Sequence, residues 1–125
     1  MKKEIRTEKS PIAIGPYSQA VKAGDFVFLS GQISYTEKME FVGDDVRKQT
    51  IQCLKNLQNV LEAEGLAMDN IVKCSVYLKD LNDFDLVNEI YSSYFTKPYP
   101  ARVCVQVAKL PKDVKVEIEA MAISR

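Results

Sequence analysis

Arg102, Cys104 and Glu117 interrupt two alternating apolar segments in the stretch PYPARVCVQVAKLPKDVKVEIEA, residues 98–120. A planar guanidinium can grip both oxygens of a carboxylate at once, which a lysine cannot match. A glutamate opposite it can orient or deprotonate a water. The same two residues would also suit a cross-strand ion pair, worth about 0.2–1 kcal/mol. Cys104 reads either as a thiol activated by the nearby arginine or as a small buried residue whose backbone N–H is the useful group. In IGPYSQ, Gly15-Pro16-Tyr17 is a turn that could poise the Tyr17 phenol over a site. In LSGQ, Ser30 and Gly31 end a strand, and the glycine permits close backbone approach to a ligand or a simple hairpin exit.

Histidine is absent. Ser-His-Asp and Cys-His nucleophile systems are therefore excluded, as are histidine-based metal sites. Acid–base chemistry must use carboxylates, Tyr, Lys, Cys, backbone groups or water. The three cysteines, Cys53, Cys74 and Cys104, are widely spaced and signal neither a disulfide framework nor a zinc site. No metal or organic cofactor is expected. Lys plus Arg and Asp plus Glu each number 17, so no global field draws in nucleic acid or an anionic membrane. The opening MKKEIRTEKS lacks the apolar run of a secretory signal and reads as a solvated segment. Apolar runs such as FVFL fall far short of the ~20 residues of a membrane span. A reduced, cytoplasmic setting is expected.

These residues need elements to hold them. At 125 residues the chain suits one domain, residues 1–125. Residues 10–19 read as a loop, 25–34 as a strand, and 34–44 as a polar turn or hairpin. Val46, Thr50, Cys53, Leu54, Leu57, Val60 and Leu61 recur at helical spacing, predicting a helix over 45–64. Asp44 or Asp45 caps it and Gly65 ends it. A strand over 70–78 follows, then a helix over 83–95 with Val87, Ile90, Tyr91 and Tyr94 inward. Residues 101–107 and 114–123 alternate as strands. The pattern predicts an α+β sandwich, one sheet with two helices on a single face. On that reading Arg102, Cys104 and Glu117 share the helix-free face, and another subunit covers it, leaving a polar cleft at the contact.

IGPYSQAV, LSGQI, VKCSVYLKDLNDFDLVNEIYSSYF, PARVCV and KLPKDVKVEIEA together resemble the signature of the Rid (YjgF) family of enamine/imine deaminases, in order along nearly the whole chain. The resemblance implies a chorismate-mutase-like fold, a mixed sheet, and a homotrimer with clefts between subunits. It implies hydrolysis of 2-imino acids released by pyridoxal-phosphate dehydratases, 2-iminopropanoate and 2-iminobutanoate, to 2-keto acids and ammonia. Within it, Arg102 binds the carboxylate, Cys104 contributes its backbone, Glu117 associates with the water, and Tyr17, Ser30 and Gly31 line the site. Val103, Gln106 and TKPYP depart from the usual pattern. An endoribonuclease or translation inhibitor, and a non-catalytic keto-acid sensor, are the alternative readings.

Overall fold

A computed structural model describes residues 1–125. Its elements follow the order β1 (Lys2–Ile5), β2 (Ala20–Ala23), β3 (Phe26–Gln32), α1 (Val46–Glu62), β4 (Ile71–Leu78), α2 (Phe84–Ser92), β5 (Ala101–Gln106) and β6 (Val116–Ile123). The six strands form one mixed sheet in the order β1-β2-β3-β6-β4-β5. Every pairing is antiparallel except β4 with β5. The α2 crossover supplies the connection that a parallel pair requires.

Helix α1 begins where the Asp45 carboxylate accepts the Arg47 N–H at 2.8 Å, satisfying one orphan donor of the first turn. It ends before Gly65, whose φ of +74° turns the chain out of the helix. Cys53, Leu54, Leu57, Val60 and Leu61 are all fully buried along one stripe. Burying each leucine contributes about 1.5–3 kcal/mol. That stripe meets Val27 and Leu29 of β3, Cys74, Val76 and Leu78 of β4, and Val116, Ile118, Ala120 and Ala122 of β6 in one core. The registers Val27↔Ala122, Leu29↔Ala120, Cys74↔Ala120 and Val76↔Ile118 put these alternating positions on one face. The intervening residues, including Phe26, Phe28, Glu117, Glu119 and Met121, take the opposite face.

The expected helices and strands are present, with ends unchanged or shifted inward by up to three residues. Two further strands were not expected. Lys2–Ile5 reads as solvated because three of its four residues are exposed, yet it pairs with β2 as an edge strand. Ala20–Ala23 is short and lacks clear alternation, and pairing with β3 defines it. The polar turn region contains only an isolated Tyr35–Phe41 bridge.

Candidate active site

The carboxylate-gripping candidate lies on the edge strand β5. The Arg102 guanidinium stacks 4.8 Å from the Tyr91 ring centroid and 5.4 Å from that of Phe84. Its Nη1 donates to Asn88 Oδ1 at 2.7 Å. None of the chain's ion pairs involves it. Asn88, Tyr91, Ser92, Tyr99, Pro100 and Arg102 line an open cleft of about 410 Å³. Two residues along, the Cys104 thiol is half-buried against the core. Burial pushes its pKa up, and the Arg102 charge pulls it only partly back. A protonated thiol is a poor nucleophile, which weighs against the activated-thiol reading of Cys104. Val107 N–H bonds Leu78 of β4 at 3.0 Å. Alternation along the strand then points the N–H groups of Arg102, Cys104 and Gln106 off the free edge.

Glu117 belongs to a second cluster. The β3–β6 register breaks between Leu29 and Gln32, so Ser30 and Gly31 sit in a bulge. The Glu117 carboxylate lies over Gly31 so closely that a Cβ there would collide with it. Only glycine leaves that space. Ser30 Oγ donates to Ser18 O at 2.6 Å, and Ser30 N–H to Gln19 O at 2.9 Å, tying the bulge to the 15–19 loop. Buried Gln19 fixes the loop from behind, accepting Thr7 N–H at 2.7 Å and donating to Pro11 O at 2.8 Å. Tyr17 and Gly31 border a shared crevice, with half of Tyr17 exposed. Desolvation raises the Glu117 pKa, and the neighbouring Glu119 charge adds to the rise. Tyr77 OH donates to Glu119 at 3.3 Å.

Two expectations need correction. Arg102 and Cys104 do not share a face with Glu117. Arg102 registers with buried Cys74 and turns toward α2, whereas Glu117 registers with Tyr77 on the opposite face. The cross-strand ion pair is equally excluded, because β4 lies between β5 and β6. Alternation gives a strand's two faces but not which one meets the helices. β5 could be assigned only by its partner and by the rings of α2.

Asn88, Phe84 and Tyr91 escaped the sequence reading as site residues, Tyr91 being taken for core. Their spacing of four and then three residues marks one stripe of a helix, and that signal was available. The departures also find places. Gln106 Oε1 accepts Leu81 N–H at 2.9 Å and so ties β5 to the turn before α2. Val103 lies on the face opposite Arg102 and is well exposed in the chain.

Replacing Gly31 by alanine will displace the Glu117 carboxylate. The obstructed atoms are the far end of a flexible side chain, so stability should change by less than about 1 kcal/mol. With Glu117 as the candidate base, turnover should fall about 10- to 100-fold, since a small misplacement of a reacting group has effects of that order. Thermal melts beside initial rates check this; a fully active Gly31→Ala protein would separate Glu117 from the chemistry.

This fold, with a free arginine on one face and a carboxylate over a glycine bulge on the other, matches one family. The family model described as endoribonuclease L-PSP covers residues 7–124. The chain belongs to that family, which includes the Rid and RutC proteins. It is 51% identical to the 2-iminobutanoate/2-iminopropanoate deaminase of Salmonella typhimurium, over 100% of both chains. It is 52% identical to a RutC family protein of Pyrococcus horikoshii, over 98% of both. Among solved structures, E. coli TdcF with bound serine superposes with a TM-score of 0.91 at 46% identity, covering 97% of this chain and 98% of that one. Yeast Mmf1 superposes with a TM-score of 0.96 at 38% identity over 100% of both chains. No helix is long and apolar enough to cross a membrane.

Proposed function

We propose that the protein is a cytoplasmic enamine/imine deaminase that hydrolyses 2-iminopropanoate and 2-iminobutanoate to 2-keto acids and ammonia. The observation that carries this reading is Arg102, a guanidinium lining a cleft with no carboxylate of its own chain to neutralise it. Arg6 and Arg47 also join no ion pair, but Arg102 is in addition held in its cleft by two aromatic rings and Asn88. This one keeps its charge for an external anion, as a small 2-imino or 2-keto acid would supply.

Arg102 and Glu117 face opposite sides of the sheet, so one chain alone does not bring them to the same substrate. We read the working site as a cleft between neighbouring copies in a homotrimer, Arg102 coming from one chain and Glu117 from the next. The exposed Phe26, Phe28, Val103 and Val105 give the helix-free face apolar surface suited to such packing. In that cleft Arg102 holds the substrate carboxylate, and the Cys104 N–H is a further donor at the free strand edge. Tyr17, Ser30 and Gly31 form the wall beside Glu117. A water held by Glu117 attacks the imine carbon, forming a carbinolamine. Glu117 takes a proton from that water and returns it to the nitrogen; the hydroxyl proton then passes to Glu117 or solvent as the C–N bond breaks, the carbonyl forms and ammonia leaves. A protonated imine is already electrophilic, so orientation supplies most of what is required.

The test couples the purified protein to a threonine dehydratase and follows decay of the enamine/imine absorbance. Decay that accelerates in proportion to added protein is expected. Decay unchanged beside tight keto-acid binding would instead make the protein a sensor. RNA cleavage that survives rigorous purification and Arg102→Ala, with no imine turnover, would favour the ribonuclease reading.

A further inference from the structure

We propose that the aromatic rings of Tyr91 and Phe84 are positioning residues for the carboxylate-binding arginine, holding the Arg102 guanidinium in the plane in which it meets its ligand. The inference rests on the proposed role of Arg102 as an anion clamp, and it assigns the cause of that clamp's geometry. Phe84, Asn88 and Tyr91 form one stripe of α2, and strand β5 lays Arg102 across it. An arginine side chain loses considerable rotamer freedom when fixed. Carboxylate partners would fix it, but they would also cancel its charge. Aromatic faces fix a guanidinium through their negative quadrupole and leave its N–H edge available. Asn88 adds one neutral acceptor at 2.7 Å, so the cradle orients the cation without neutralising it.

The cradle is itself anchored. Tyr91 is buried, with its ring 4.6 Å from that of Phe95 between centroids. Its hydroxyl is shut in beside the Cys74 thiol, a weak hydrogen-bonding group, and reaches no oxygen or nitrogen partner. It is the ring, not this weakly held hydroxyl, that lies against the guanidinium. The same fact supplies a clean control. Tyr91→Phe removes only the weakly held hydroxyl and keeps the ring, so it should fold about as well as the parent.

The experiment compares Tyr91→Phe, Tyr91→Leu and Phe84→Leu in the full-length protein. Calorimetric affinity for 2-oxobutanoate and the KM and kcat of coupled imine turnover are measured, with thermal melts alongside. Each leucine variant should weaken 2-oxobutanoate binding and raise KM about 3- to 30-fold, with a smaller change in kcat, because the arginine grips ground and transition states alike. Tyr91→Phe, which keeps the ring, should be impaired far less than Tyr91→Leu. Folded leucine variants that bind as the parent does would overturn the proposal, as would a Tyr91→Phe protein as impaired as Tyr91→Leu. If Tyr91→Leu fails to fold, Phe84→Leu decides, since Phe84 is only partly buried. A parent that binds 2-oxobutanoate but turns over no imine sinks the deaminase reading while the cradle is still judged on affinity. A parent that binds no carboxylate overturns both.

Discussion

Arg102→Ala should lower kcat/KM for 2-iminobutanoate by about 100- to 10 000-fold while leaving the fold and assembly intact. Two charge-assisted hydrogen bonds to a carboxylate contribute about 1.5–3 kcal/mol each, and each 1.36 kcal/mol is a factor of ten. Part of the loss will fall on kcat, because a carboxylate held at two points also aims the imine carbon at its water. Arg102→Lys should recover little, since a point charge keeps the attraction and loses the fork. Arg102 is exposed on an edge strand and joins no ion pair, so its removal leaves no buried charge behind. Size-exclusion profiles and melting temperatures of the variant should match the parent's. A variant that retains the full rate would end the clamp proposal.

Glu117→Ala should lower kcat by about 100- to 10 000-fold, the range general acid–base groups contribute. Affinity for 2-oxobutanoate should change much less, because the proposed carboxylate partner is Arg102. Equal losses in both would make Glu117 a binding residue. The pH dependence follows from the direction of its shift. Burial, then the Glu119 charge, raises the Glu117 pKa above the ordinary glutamate value. The base form therefore develops only as pH rises through that raised value, and the acid limb of the rate profile should lie above where a solvated glutamate would put it. Glu119→Gln removes the like charge and should move the limb to lower pH. Stability runs the opposite way. A carboxyl with a raised pKa in the native state favours folding fully below its unfolded pKa and loses that contribution as pH rises through the folded one. Glu117→Gln should accordingly melt higher than the parent at neutral pH, with the difference vanishing as the solution is acidified past the ordinary glutamate range.

Candidate site residues were legible before the fold was. Arg102 and Glu117 stand out because charged types are costly or unnecessary in an apolar alternating frame, whereas Tyr17 and Gly31 lie in a loop and at a strand end and are marked out by the family resemblance. Helix α1 was legible nearly to its ends, since Asp45, the apolar stripe and Gly65 are all local signals. The edge strand β1 was not. Its polar residues carry no local preference for a strand, and only hydrogen bonds to β2 make it one.

By itself the sequence determined which side chains could grip an anion and hold a water, because reactivity belongs to residue type and helical or strand period belongs to local pattern. The tertiary structure alone decided which sides they face. Inserting β4 between β5 and β6 separates Arg102 from Glu117, and packing β5 against α2 turns Arg102 onto the rings of Phe84 and Tyr91. Strand order and facing are set by contacts between residues far apart in the chain, and a period of two reads the same whichever face is buried.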